Sequence, residues 1–164
     1  KREHIRRLLI RAAQQKTILI VNYNDPVSDE ENRKMELAIR RSHGDQVVEC
    51  VDNDETAAVI ANLVHAKKLV LMTSTEGIYR DPADPKTLVE QVTAKSMEEL
   101  EEKVRQLQES CVGASRAGAN GAKAKLEYAL KSARQGTMVI IGHARHRLSD
   151  LVEGRVACTR IGLE

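Results

Sequence analysis

The sequence predicts an α/β fold, a three-layer α/β/α sandwich built around a mainly parallel sheet. Short, continuously apolar runs alternate with helical segments along the chain, and this order is typical of a sheet covered by helices. Runs such as residues 17–21 and 69–72 lack the polar alternation of half-exposed strands, which indicates strands buried on both faces. A length of 164 residues fits one globular domain over residues 1–164.

The chain opens with a predicted helix and strand. Residues 2–15 place apolar side chains on one helical face, so we expect an amphipathic helix there, followed by a strand at residues 17–21. Residues 26–46 are polar and without clear period, and we expect a mobile insertion with some helix. After a short strand at residues 47–51, Asp52 and Glu55 form a capping-box pattern that predicts a helix ending near Val64.

Strands and helices continue to alternate through the second half of the chain. Ser96 with Glu99 predicts the start of a helix whose inner stripe includes Leu100 and Val104. The small residues of the loop before Gly121 allow a ligand to approach the backbone closely. We expect strands at residues 69–72, 88–92, 137–141 and 155–161, and a helix at residues 122–135.

Composition and charge exclude several classes of protein. Three widely separated cysteines do not describe a disulfide scaffold, and we expect a cytoplasmic location. No apolar stretch approaches the ~20 residues that span a bilayer, so we expect no membrane partner. The net charge is +2 and the chain lacks Phe and Trp. Only three Tyr are present, and none is interleaved with the basic residues at the start of the chain. We therefore expect no nucleic-acid partner either.

Polar side chains gather where three predicted strands end. Asn22 to Asp25 follow the first strand, Asp52 to Asp54 follow the second, and Thr73 begins a polar turn after the third. The carboxyl ends of parallel strands meet at one edge of the sheet, where open α/β sheets bind ligands. One composite small-molecule site is therefore predicted, with caps and turns as the alternative use of these side chains.

Other chemical signatures are weak. His143 and His146 could form a metal pair, but no third ligand lies nearby in the sequence, so loop histidines are expected. Phosphate-binding and dinucleotide-binding glycine motifs of the P-loop and Rossmann types are absent from the sequence.

Four motifs, taken in order, resemble those of the amino-acid kinase superfamily, and most closely those of the glutamate 5-kinases. The resemblance covers nearly the whole chain. The motifs are Ile20-Val21-Asn22-Tyr23-Asn24-Asp25, Asp52-Asn53-Asp54, Leu71-Met72-Thr73-Ser74-Thr75-Glu76-Gly77-Ile78-Tyr79-Arg80-Asp81-Pro82 and Gly121-Ala122-Lys123-Ala124-Lys125.

The resemblance implies transfer of the γ-phosphoryl group of ATP to the side-chain carboxylate of an amino acid. With glutamate as acceptor this is the first step of proline biosynthesis. ATP and Mg2+ are the implied cofactors, with Mg2+ held mainly by the phosphates and water rather than by protein ligands. The implied partners are these small molecules and further copies of the same chain. The family's N-terminal lobe does not occur in this sequence. We therefore expect this chain to be the C-terminal, ATP-binding lobe and, as a fragment, to be inactive alone.

The resemblance also implies roles for individual residues. Lys125 would contact the phosphates as a catalytic cation, and Asp54 would orient the catalytic groups. Asp25 and Asn53 would bind the amino group and backbone of the acceptor. The implied nucleotide-binding residues are Thr73, Ser74, Gly77, Tyr79, Asp81, Gly121 and Lys125.

Two alternatives stay open. The first is another member of the superfamily, a uridylate or acetylglutamate kinase. The second is a non-catalytic ligand-binding or regulatory module on the same fold. Two features favour it: Ser74 stands where the family usually has Asp, and the family's N-terminal lobe does not occur in this sequence.

Overall fold

The computed structural model describes residues 2–21, 53–111 and 121–164. The chain forms two compact units, Lys1–Thr56 and Ala57–Glu164. The expectation of a single domain over residues 1–164 stays a prediction. Asp25, the insertion at residues 26–46, the strand at residues 47–51, the Asp52 cap and most of the loop before Gly121 lie outside the described residues.

Helix α1, Arg2–Gln14, confirms the helix predicted from the apolar period. Lys16 ends it with a positive φ of 55°. The strand predicted at residues 17–21 is wrong, because this segment has no strand conformation. The side chains of Ile18 and Ile20 are 89% and 94% exposed. A strand is stable only when neighbouring strands accept its backbone hydrogen bonds, and none of the described strands pairs with this segment.

The remaining elements follow the predicted alternation. Helix α2 spans Asn53–Val64. After it come β1 (Lys68–Thr73), a 3-10 turn (Pro85–Thr87), β2 (Gln91–Ala94), α3 (Met97–Ser110), α4 (Gly121–Ala133), β3 (Met138–His143), α5 (Leu148–Glu153) and β4 (Thr159–Leu163).

The four described strands form one sheet in the order β1-β3-β4-β2. β1 runs parallel to β3 from Lys68 opposite Met138 to Thr73 opposite His143. β2 runs parallel to β4, and only the central β3–β4 pair is antiparallel. The prediction of a mainly parallel sheet is therefore confirmed.

Helices cover both faces of this sheet, as predicted. Val139 and Ile141 of β3 pack with α3 and α4 in the larger core. Ile140, between them, packs on the other face with Leu151 of α5 and with Cys158. The three β3 residues are fully buried, which is the result expected for a continuously apolar run between two helical layers.

Two strand boundaries differ from the prediction. β2 begins at Gln91, whereas Leu88 forms an isolated bridge to Tyr79. β4 begins at Thr159, later than predicted, because the chain first turns after α5. Gly154 ends that helix with a left-handed φ of 73°. Within the described part of the chain, no helix combines the length and apolar character needed to cross a membrane.

Candidate functional site

The carboxyl ends of β1 and β3 lie side by side and place two loops next to each other. We call residues 74–84 the β1 loop and residues 144–147 the β3 loop. Thr73 and His143 are register partners at the end of the parallel pair, and the backbone N–H of Ala144 donates to the Thr73 carbonyl at 2.8 Å. This strand edge is the position at which α/β sheets bind ligands.

Gly77 fixes the middle of the β1 loop against the start of β4. A Cβ atom on Gly77 would lie 2.9 Å from Thr159 N and closer still to the Thr159 hydroxyl. Ile78 N donates to Thr159 Oγ1 at 2.8 Å, and that hydroxyl donates to the Val89 carbonyl at 2.7 Å. Close packing alone therefore requires glycine at position 77. Its predicted contact with a nucleotide stays a prediction.

Tyr79 and Asp81 lie where the β1 loop turns back. The Arg80 N–H donates to the Thr87 carbonyl at 3.1 Å, next to the Tyr79 bridge. One carboxylate oxygen of Asp81, Oδ1, accepts from Ala83 N at 2.9 Å, which is an Asx turn. The Asp81 carboxylate is thus engaged locally, as the alternative interpretation of turns expects, and its nucleotide role stays a prediction.

The tip of the β1 loop, Ser74 and Thr75, is exposed. Thr75 Oγ1 donates to the Gly77 carbonyl at 3.0 Å and lies 3.5 Å from Thr73 Oγ1. The tip therefore offers a ligand hydroxyl groups and backbone, between a strand end and a buried glycine.

Glu76 connects the two loops, a link that the sequence analysis missed. Its Oε2 lies 2.6 Å from His146 Nε2, and its Oε1 contacts the Arg145 guanidinium. His143 Nδ1 accepts from Arg145 N at 3.0 Å. The two histidine rings meet edge to face at 6.3 Å. Since 70 residues separate Glu76 from His146, no local pattern in the sequence signals this cluster.

The start of α4 approaches the β1 loop through the end of α3. The Cys111 thiol lies 4.0 Å from the Tyr79 carbonyl oxygen, and Gln108 Nε2 donates to the Lys123 carbonyl at 3.0 Å. Burial raises the pKa of the Cys111 thiol, and the charge of Lys123 opposes this shift. Two segments with predicted nucleotide-binding residues, the β1 loop and the start of α4, thus both contact the end of helix α3. The thiol itself is buried.

Lys125 lies half-buried on α4, whereas Lys123 is exposed. Gly121 begins the helix with a positive φ of 58°, a conformation that side chains disfavour. Asn53 and Asp54 are the first two residues of α2 and belong to the first unit. Their roles, and that of Lys125 on the phosphates, stay predictions.

The chain matches the amino acid kinase family model over residues 1–143. It is 33% identical over 147 residues to the glutamate 5-kinase of Geobacillus kaustophilus (strain HTA426), covering 88% of this chain and 34% of that relative. It is 46% identical over 59 residues to the acetylglutamate kinase of Methanopyrus kandleri, covering 36% of this chain and 24% of the relative. A carbamate kinase structure from Giardia lamblia bound to AMP-PNP matches with a TM-score of 0.52 and 18% identity. The match covers 71% of this chain and 34% of the carbamate kinase chain.

The chain therefore belongs to the amino acid kinase family, which confirms the resemblance drawn from the four motifs. The structural match confirms the fold. The chain spans about a third of the length of the glutamate 5-kinases that it matches.

Proposed function

We propose that the protein containing this chain uses ATP to phosphorylate the side-chain carboxylate of an amino acid, with glutamate as the acceptor and glutamyl 5-phosphate as the product. In this proposal the chain is the nucleotide-binding portion of a cytoplasmic, homo-oligomeric enzyme of proline biosynthesis. Family membership and relatives named glutamate 5-kinase support it.

One structural observation gives the proposal most of its support. The β1 loop and the start of α4, which the resemblance assigns to the nucleotide, both contact the end of α3. The Cys111 thiol lies 4.0 Å from the Tyr79 carbonyl oxygen, and Gln108 Nε2 donates to the Lys123 carbonyl at 3.0 Å.

The chemistry fits these residue types. Phosphoryl transfer depends on positioning and on stabilising charge on the phosphoryl oxygens, so cations and polar backbone groups supply most of the catalysis. Lys125 would provide the cation, and the exposed tip at Ser74 and Thr75 would provide hydroxyl and backbone groups. Asp25 and Asn53 would bind the acceptor, and Asp54 would orient the reacting groups.

Mg2+ would bridge the phosphates and be held mainly by their oxygens and by water. Among the residues that the structure describes, no three His, Cys, Asp or Glu side chains form a metal-binding group. The ion would neutralise phosphate charge when bound.

A lysine substitution tests the proposal. Lys125→Ala should lower the rate of acyl-phosphate formation by about 10²-fold or more, the order found when one stabilising group of a transition state is removed. Acceptor affinity should change little. Hydroxamate trapping with glutamate, ATP and Mg2+ measures the rate, and titration calorimetry measures the affinity.

Lys131→Ala provides a matched control, since Lys131 is an exposed lysine of the same helix paired with Glu127 at 2.8 Å. An unchanged rate in Lys125→Ala would remove Lys125 from the mechanism. Failure to trap an acyl phosphate with any amino acid would favour the non-catalytic module.

Acetylglutamate is the second candidate acceptor, because the Methanopyrus kandleri relative named acetylglutamate kinase is the more identical one over its shorter match. The two acceptors differ at the α-amino group, which is a cation only in glutamate. A carboxylate at Asp25 suits the free ammonium, and this favours glutamate. Competition between the two acceptors in the trapping assay distinguishes them.

A further inference from the structure

The Glu76 carboxylate is bound on both of its oxygens by the β3 loop. Oε2 lies 2.6 Å from His146 Nε2, and Oε1 contacts the Arg145 guanidinium. The three side chains come from loops that follow two adjacent parallel strands. Neither the four motifs nor the proposed chemistry uses His146 or Arg145.

The position of Glu76 determines how the β1 loop is held. Residue 73 ends β1, and Gly77 is packed against Thr159, so residues 74–76 lie between two fixed points of the chain. Glu76 is the last residue of that segment. Its bonds to the β3 loop attach this segment at a second point, in addition to the packing of Gly77.

The environment of the cluster strengthens these bonds. The side chains of Glu76 and His146 are 17% and 21% exposed, whereas that of Arg145 is 64% exposed. Charge-assisted hydrogen bonds are stronger where water is partly excluded, and exposed ion pairs contribute little. His146 is therefore the main anchor of Glu76, and Arg145 neutralises its second oxygen.

We propose that Glu76 is a positioning residue for nucleotide binding, which holds Ser74 and Thr75 in their binding conformation through His146 and Arg145. The proposal rests on the proposed function, because the tip belongs to the segment assigned to the nucleotide. Glu76 acts through the loop and does not itself contact the phosphates. Its carboxylate is already occupied, and a second anion beside it would be repelled.

The test compares Glu76→Ala, His146→Ala and the double variant in the protein as it occurs. Affinity for the non-hydrolysable analogue AMP-PNP with Mg2+ is measured by calorimetry, and steady-state constants are measured for ATP and the acceptor. Each single variant should bind AMP-PNP about tenfold more weakly, which corresponds to the loss of roughly 1.4 kcal/mol. The KM for ATP should rise, while kcat and the acceptor KM should stay within about twofold.

Because the two residues act on the same loop, the double variant should bind AMP-PNP no more weakly than whichever single variant has the lower affinity. Glu76→Gln keeps an oxygen that accepts from His146 and should recover part of the affinity. Glu101→Ala is the matched control. It removes a carboxylate that links two elements through Arg134 at 2.9 Å, away from the β1 loop, and it should leave nucleotide affinity unchanged.

Several results would overturn the inference. Wild-type affinity in Glu76→Ala is one, and fully additive losses in the double variant are another. A lowered melting temperature with unchanged AMP-PNP affinity would assign the cluster to stability alone. Absence of AMP-PNP binding by the wild-type protein is a different result, since it would refute the proposed function itself. His146→Ala alters a loop side chain outside the main core, so it keeps the test valid if Glu76→Ala does not fold.

Discussion

Thr159 holds the β1 loop onto the sheet, and replacing it with valine isolates the contribution of one hydroxyl group. The side chain is fully buried. Its Oγ1 accepts from Ile78 N at 2.8 Å and donates to the Val89 carbonyl at 2.7 Å. Valine has nearly the same shape, so Thr159→Val leaves these two backbone groups without their partner and creates no cavity.

The expected loss follows from those two bonds. A buried polar group left unsatisfied costs ~1–3 kcal/mol. Ile78 is buried, so leaving its N–H without an acceptor should cost a free energy near the upper end of that range. Val89 is half-buried, so water can partly replace the lost donor there. We therefore expect the free energy of unfolding to fall by about 3 kcal/mol in total.

Thr159→Ser is the matched control, because it keeps the hydroxyl and removes one methyl group. It should cost about 1 kcal/mol. Urea unfolding measures both variants, and at a slope of about 2 kcal/mol/M the Thr159→Val midpoint should fall by roughly 1.5 M. If Thr159→Ser loses as much stability as Thr159→Val, the methyl group and not the hydroxyl holds the loop, and the reasoning is refuted.

Two further predictions concern helix α3. Ser96→Ala removes the acceptor of Glu99 N at 3.2 Å and should lower the free energy of unfolding by about 1 kcal/mol in urea titration. Ser110→Ala, at the other end of the helix, should lower the free energy of unfolding by less. Equal losses in the two variants would contradict the capping role of Ser96. The pKa of Glu99 is lowered, first by the hydrogen bond from Lys103 and then by Lys95 N–H. A depressed pKa stabilises the fold above the unfolded-state value, and this contribution is lost as pH falls through the folded-state value. Lys103→Met should therefore raise the Glu99 pKa in an NMR titration, and an unchanged value would refute the assignment.

Local patterns in the sequence predicted most of the helices. The capping residue Ser96 accepts from Glu99 N as expected, and the inner stripe of α3 buries Leu100 and Val104. These features depend on residues three or four positions apart, which the helix itself brings together. Strand β3 was equally predictable, since a run such as residues 137–141 is apolar because both sheet faces are covered.

The segment at residues 17–21 shows the limit of the same reasoning. Its apolar run resembles that of β3, yet Ile20 is exposed in the structure. Apolar composition predicts that a segment is suited to a sheet. Pairing requires a second strand, and the identity and position of that partner are not encoded in the run itself.

The candidate site also has a part that the sequence predicted and a part that depends on residues far apart in the chain. The motif at residues 71–82 correctly indicated a loop after a strand, but it did not indicate that Gly77 packs closely against another element. That the element is the start of β4 depends on a residue 81 positions from Ile78. The role of His146 was also hidden, because its partner Glu76 is 70 positions away.

The sequence by itself determined most of the helices, the buried character of β3, and the amino acid kinase motifs with their order. The burial on both faces predicted for residues 69–72 is wrong, because β1 lies at the edge of the described sheet and Met72 is 46% exposed. The helices and the burial of β3 follow from periodicity and from the chemistry of neighbouring residues, which act over one or two turns of chain, and the motifs follow from their resemblance to a known family. Only the tertiary structure decided that Glu76 binds the β3 loop, that Thr159 packs against Gly77, and that the β1 loop and the start of α4 both contact the end of α3. Those contacts join residues far apart in the chain, and they form only where the packed sheet brings the ends of its strands to one edge.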